Sequence, residues 1–533
     1  MTATRGTGAL VRLALRLDRI KLTLWVLGLT VVIVVTASSF QSLYPTVASR
    51  QEFGLVVGSN PSFRAMLGPL FNASSIGGLV AWRAGIVLVL AGLMGMQTVV
   101  RHTRLEEETG RHELVGSGVV GRYAGLTAAL IVAFGAGLLL ATLIAGSLIG
   151  LGLGATGSIA FGLAVAAAVW TFAAMASLSA QLTSSARAAN GIAGGALGLA
   201  YLLRALGDSA AEGDALSRLS WLSPIGWSQQ LRPFADERWW VLGLVAALMA
   251  LTAGIAYALA SRRDVDAGLL ADRAGPAAAD PSLRSPVALA WRLQRGALLW
   301  WAIGFAVVGL AEGSVADGVK QIVGDNPQMA EIIQRLGGSE ALVDNFLATV
   351  MGIFGVIAAV YAVQATLRLR AEETGLRAEQ VLATRVTRTP WVLSHVMIAI
   401  GGTALLLAIG GGATGLAHGL RTGDVAGQVP AVVGAALAQL PAALVLAGVA
   451  LALFGALPRL VTVSWALIAV TLLITWLGPV LQVDQWMLDL APFTHVPQLP
   501  AAEMTWTPLV WLSAVAVVSM ALGLAGFRRR DVG

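Results

Sequence analysis

The sequence predicts an all-α polytopic membrane protein with twelve transmembrane helices, arranged as two parallel six-helix repeats with both termini in the cytoplasm. Three observations carry this reading. First, the 533 residues are 57% hydrophobic and only 12% charged, with a mean hydropathy of +0.77, whereas soluble domains are about 45–50% apolar and about 25% charged. So little charge cannot cover a soluble protein of this size, and so apolar a chain would not stay solvated in disorder. Second, the apolar residues gather into runs near the roughly 20 residues that a bilayer-spanning helix needs. Third, basic residues alternate in density between successive connecting segments, and short motifs recur at half the chain length.

The chain opens with an amphipathic stretch. Arg12, Arg16 and Arg19 share one helical face, while Leu10, Leu13, Leu15 and Leu17 occupy the rest. Such a helix can lie in the inner headgroup layer with its arginines towards anionic lipid, or it is the wetted start of the first span. Spans of the first half are predicted at 20–41, 79–99, 124–151, 159–182, 190–206 and 239–260. The first follows arginines, as a signal peptide would, but is too long for a signal core and reads as a retained helix. Residues 265–284, with Gly275, Pro276 and Pro281, read as a flexible cytoplasmic linker between halves 1–264 and 285–533. The second half has a short amphipathic start at Val287–Arg295, then spans at 297–315, 345–366, 392–414, 431–455, 460–480 and 508–527. Glycine-dense spans, such as the one holding Gly191, Gly194, Gly195 and Gly198, suit close helix packing in lipid.

Sorting the charges gives the orientation. With the amino terminus inside, 25 of 35 basic residues lie in inner segments, 8 in outer loops, and Arg83 and Arg204 within spans. The positive-inside rule then holds for twelve crossings of a plasma (inner) membrane. The formal charge of +6 therefore reports sidedness, and no nucleic-acid partner is expected.

The repeat is collinear. Gly58-Ser59-Asn60-Pro61 answers Gly324-Asp325-Asn326-Pro327, and Glu107-Glu108-Thr109-Gly110 answers Glu372-Glu373-Thr374-Gly375 at an offset of 265. Glu113 and Arg122 answer Glu379 and Arg388 at 266, and Arg262-Arg263-Asp264 answers Arg529-Arg530-Asp531 at 267. Six crossings return the chain to its starting side, so the repeats are parallel, forming a pseudo-dimer about an axis along the membrane normal.

Several chemistries are excluded. There is no cysteine, and the five histidines show no ligand spacing, so no metal site is expected. Lys21 and Lys320 are the only lysines, followed by Leu22 and Gln321, so neither can serve a phosphate-binding P-loop. The chain is not expected to be an enzyme. If ATP is used, another subunit hydrolyses it.

Two inner loops carry the functional argument. Each holds acids among arginines: Glu106, Glu107, Glu108, Gly110 and Glu113 in the first, Glu372, Glu373, Gly375 and Glu379 in the second. On a helix, Arg104 with Glu108, Glu107 with Arg111, and Glu373 with Arg377 are i,i+4 pairs, and the two glycines interrupt the run. Such a charged element in each half can dock a symmetric partner. A solvated loop enforcing topology is the plainer reading, but topology requires bases rather than matched acids. Within spans, Arg83, Met94, Met96, Gln97 and Gln364 are candidates to line a substrate pathway. Arg83 can equally snorkel, the methionines pack, and the glutamines bond between helices.

On these motifs the chain resembles permease subunits of type-2 (ABC-2) exporters, in the fused twelve-helix branch described as exporters of polyketide antibiotics, the tetronasin-resistance kind. The two EETG loops, the Asn-Pro outer motifs, the Arg-Arg-Asp ends and Leu219–Trp227 before span six carry the resemblance. It implies that the loops are coupling helices seated on two copies of an ATP-binding cassette ATPase, which would hold ATP and Mg2+. It also implies outward movement of a hydrophobic compound, drug-like or lipid. An ion-coupled carrier is the main alternative, but the predicted spans hold no Asp or Glu apart from Glu312 at an edge. A non-transport immunity or scaffold protein is the other.

Overall fold

The computed structural model describes residues 3–59, 61–110, 120–210, 214–263, 268–270, 278, 280–316, 338–477 and 484–531. Among them there are helices and no strands. The chain divides into two compact units, Met1–Gly275 and Pro276–Gly533.

In the first unit a surface helix α1 (Thr7–Leu17) meets α2 (Arg19–Leu43) at Asp18, which leaves helical geometry at φ −101° and ψ 9°. Two short helices follow, α3 (Val47–Ser59) and α4 (Pro61–Leu67), then α5 (Ile76–Arg83) and α6 (Gly85–Val100). The sequence places Arg83 inside the second span. The structure corrects this: the helix breaks at Ala84, and Arg83 ends α5 with its side chain exposed. The break lets the Leu67 carbonyl press against Gly85, where no side chain could fit. α6 then runs through a π turn, Arg101–Leu105, into a last turn, Glu106–Glu108.

The remaining long helices are α7 (Ala124–Gly150), α8 (Ala155–Leu182), α9 (Ala186–Ser209) and α11 (Val241–Ala260). Between the last two lie a 3-10 segment, Ala215–Leu222, and the short α10 (Pro224–Gln230). The alanine-rich α8 is the hub, packing against α6, α7, α9 and α11. Its small side chains permit the close backbone approach that replaces hydrophobic driving force between helices in lipid. The part of the linker that is described is tied down: Leu269 and Leu270 donate backbone bonds to Gln181 O and Leu182 O, at 3.4 and 2.8 Å.

The second unit begins with α12 (Pro286–Val315), one continuous helix, so the amphipathic start read at Val287–Arg295 is not a separate element. It continues with α13 (Gly338–Thr366), α14 (Arg368–Thr374), α15 (Arg377–Leu382) and α16 (Arg388–Thr422). Then come α17 (Val425–Leu437), α18 (Leu440–Ala456), α19 (Val463–Leu477), the short α20 (Gln485–Leu488) and α21 (Trp506–Arg529). α16 packs on α12, α13 and α17, and α18 packs on α13 and α21. α18 and α21 nearly touch backbones, since a Cβ on Gly455 would overlap the Gly523 carbonyl.

Among the described residues, eleven helices are long and apolar enough to cross a membrane. Each coincides with a predicted span. The remaining predicted span, 460–480, meets α19, whose 15 described residues rise only about 22 Å against a hydrocarbon core of about 30 Å. Asp208 also falls on a spanning helix, α9, beyond the predicted end at 206.

Candidate functional site

The first loop is held by a buried ionic clamp. Arg104, fully buried, donates Nε and Nη2 to Ala180 O at the end of α8, at 3.0 and 2.6 Å. Its Nη1 lies 2.8 Å from Glu107. Arg263, just past α11, holds both oxygens of Glu107, at 2.6 and 2.9 Å, and donates Nε to Gln181 at 2.6 Å. Glu108 reaches the start of α9, accepting from Ala186 N at 2.9 Å. Arg122, opening α7, donates to Ala260 O and Arg263 O at the end of α11. The loop thus joins the ends of α6, α8 and α11 to the start of α9. Buried charges are tolerated when paired and hydrogen-bonded in this way.

The second unit builds the same clamp. Arg370 lies 2.9 Å from Glu373, and Arg530 reaches that carboxylate at 2.8 Å while its guanidinium stacks over Phe454 and Phe527. Arg388 donates to Phe527 O, Arg528 O and Arg530 O, closing the end of α21. Glu372 is held by Arg368 and Arg377, each at 2.7 Å.

These contacts revise the pairing read from sequence. Arg104 takes Glu107 rather than Glu108, and Arg377 takes Glu372 rather than Glu373. The governing spacing is Arg-x-x-Glu. Arg111 and Glu113 lie outside the described residues. Gly110 takes the left-handed conformation at φ 71°, but Gly375 does not; its neighbour Leu376 does, at φ 56°. Glu107, Glu372 and Glu373 are buried, whereas Glu108, Thr109, Gly110, Thr374, Gly375, Leu376 and Glu379 are exposed. Glu106 is half-buried.

α1 contributes an anchor that sequence reading missed. Asp18, 1% exposed, lies 2.7 Å from Arg101 Nε and 2.7 Å from His102 Nε2. Burial pushes its carboxyl up, but the His102 hydrogen bond and the charges of His102, Arg101 and Lys21 outweigh this and hold it below the ordinary carboxylate range. An acid between an amphipathic stretch and an apolar run, with Arg-His opening the loop, was the available signal.

The pathway candidates separate. Met94 and Met96 are buried in the first unit's core and Gln97 is half-buried. Gln364 is exposed and accepts Trp301 Nε1 at 3.1 Å. It lines an open groove of about 530 Å³ between α12 and α13, walled also by Trp300, Trp301, Phe305, Val308 and Phe354. Arg204, fully buried, donates to Ala65 O and Met66 O and lies 3.6 Å from Asp208. Asp208 also accepts the Ser220 hydroxyl. Trp82 is buried as well.

A family model described as "Multidrug efflux system permease Rv1217c, C-terminal domain" matches residues 9–259 and 283–528. The multidrug efflux system permease protein Rv1217c of Mycobacterium tuberculosis (strain ATCC 25618 / H37Rv) is 44% identical over 528 residues, covering 99% of this chain and 95% of that protein. With eleven helices among the described residues long and apolar enough to cross a membrane, the chain is a multi-pass inner-membrane protein, and it belongs to the multidrug efflux system permease family.

Proposed function

We propose that the chain is the membrane permease of an ATP-driven exporter of the ABC-2 kind, moving hydrophobic or amphipathic compounds out of the cell by alternating access. In this reading the two units are parallel six-span halves with cytoplasmic termini, and each loop seats one of two ATP-binding subunits. The observation that carries it is the duplicated clamp. In each unit an Arg-x-x-Glu pair with a buried glutamate, tied to an arginine beyond the unit's last helix, holds a short loop whose tip remains exposed. A tip so fastened moves with the helix ends bonded to it, which a transmission element requires. ATP closure of the partner pair would push both tips and reorient the helices above. The buried glutamates then position the loops, and Glu108, Gly110, Gly375, Leu376 and Glu379 offer the contact surface. Drug-like cargo is supported by the 44% identity to the Mycobacterium tuberculosis multidrug efflux permease protein.

The test is co-expression with a candidate ATP-binding subunit, followed by co-purification and ATPase assay of Glu108→Arg with Leu376→Asp. Loss of binding with the permease still folded is expected. Undiminished binding and export would refute the docking role. An ion-coupled carrier would draw on Asp208 and His395, the latter buried against Gln294 at 3.0 Å. Transport by the purified chain in a proton gradient, with no ATPase, would establish it.

A further inference from the structure

α1 touches the first loop at both roots. At the entrance Asp18 binds Arg101 and His102. At the exit the backbone ahead of α1 pairs with the start of α7: Gly121 N donates to Arg5 O at 2.8 Å, and Tyr123 N to Ala3 O at 2.9 Å. Between these points α1 buries Ala14, leaving that face committed to α7. The opposite face carries Arg12 and Arg16, with Arg19 beyond the bend, all exposed and without an ion pair among the described residues. Leu13 and Leu17 on the flank are 45% and 50% exposed.

This is the pattern of a helix lying in a headgroup layer, its leucines in the acyl boundary and its guanidiniums on anionic lipid. The position agrees. One residue, Asp18, separates α1 from the spanning helix α2, so α1 sits at the bilayer edge. A soluble acidic partner would satisfy the arginines but leave the leucines uncovered. We propose that α1 senses anionic lipid at the inner surface and that Asp18 and the Ala3–Arg5 segment pass its position to the first loop. This rests on reading that loop as the docking element, and so makes the lipid surface a regulator of docking. Among the described residues the second unit shows no such device, since α12 is continuous from Pro286 with no separate surface helix ahead of it.

The chain has no cysteine, so Thr109→Cys and Thr374→Cys each give one labelling site at a loop tip. Nitroxide spectra of the full-length protein are compared in phosphatidylcholine vesicles and in vesicles one-third phosphatidylglycerol. The expected result is a change in mobility at 109 and none at 374. Arg12→Gln with Arg16→Gln, and separately Asp18→Asn, remove the change. Should Asp18→Asn not fold, Arg101→Gln cuts the same contact and is read the same way. An indifferent spectrum at 109, an equal change at 374, or a response surviving the broken contact overturns the proposal. So does reproduction of the change by inorganic phosphate without anionic lipid, which would make the site one for free anions. The readout needs no ATPase, so absence of ATPase binding refutes the docking reading separately.

Discussion

Glu107 is the fastening on which the first loop depends, and Glu107→Gln tests it with little change of shape. The carboxylate is 8% exposed and neutralises Arg104 at 2.8 Å and Arg263 at 2.6 Å. Removing one partner of a buried ion pair costs about 3–5 kcal/mol, because the other charge is left buried. Coulomb attraction at an effective dielectric near 20, about 4 kcal/mol for charges 4 Å apart, gives the same order. Retained bonds from Arg104 to Ala180 O and from Arg263 to Gln181 favour the lower half of that range. At about 2–4 °C per kcal/mol for a unit of this size, the melting temperature should fall by roughly 6–16 °C.

Glu373→Gln should cost less, about 1–3 kcal/mol, since Arg370 and Arg530 are 36% and 18% exposed and water can reach the stranded charges. The assay is thermal unfolding in detergent, with a double-mutant cycle pairing Glu107→Gln and Arg263→Gln. Contacting residues should couple by about 0.5–3 kcal/mol. An unchanged melting temperature, the opposite order of the two variants, or coupling near zero would refute the clamp.

Further outcomes follow from single contacts. Gly455→Ala should destabilise by about 1–3 kcal/mol through overpacking against the Gly523 carbonyl, whereas Gly304→Ala, whose Cβ meets nothing within 4 Å, should be neutral or stabilising; thermal unfolding separates them. Gly304→Leu should fill the Trp300–Trp301 groove and lower export of an aromatic substrate several-fold while the protein still folds, as transport assays in vesicles would show. Leu376→Gly should hold or raise the melting temperature, because a left-handed L-residue costs about 1–2 kcal/mol, yet weaken ATPase binding by removing an apolar tip. Asp18 has a lowered pKa in the fold, so its stabilisation is present above its ordinary value of 3.8 and is lost as pH falls through the folded value. Acid unfolding curves should show that loss in the parent chain and not in Asp18→Asn.

The spans were legible because bilayer thickness sets the length of an apolar run. Their ends were less so. The fifth span was cut short at 206 and the seventh opened late at 297, because Asp208 and Arg295 look like limits in a hydropathy reading. Helix α9 instead carries Arg204 and Asp208 to its end, since Ala65 and Met66 supply carbonyls to the buried guanidinium. Those acceptors lie about 140 residues away, and nothing local announces them. The clamp was half legible. Its acids and arginines stand in both loops of the sequence, but the i,i+4 rule chose the wrong partners for Arg104 and Arg377. On a helix i+3 and i+4 are both neighbours, and here the choice is settled by Arg263 and Arg530 arriving from the far end of each unit.

The repeat itself shows which features the fold constrains. By its letters, Glu-Glu-Thr-Gly recurs at an offset of 265. By its contacts the offset is 266: Arg104 corresponds to Arg370, Glu107 to Glu373, Arg122 to Arg388, and left-handed Gly110 to left-handed Leu376. The turn bonds agree, Gly110 N to Glu107 O and Leu376 N to Glu373 O, at 2.8 and 3.0 Å. A side chain is therefore accepted at a turn position that glycine fills without strain, while the arginine–glutamate spacing is kept. What both units preserve is the clamp and the left-handed turn that ends it. What they vary is the surface presented: Glu108-Thr109-Gly110 in one, Thr374-Gly375-Leu376 in the other. One tip is acidic and the other apolar. A partner seated on both must accept two different surfaces, or the two seats must bind unequally, and ATPase affinity measured with each tip altered in turn distinguishes these.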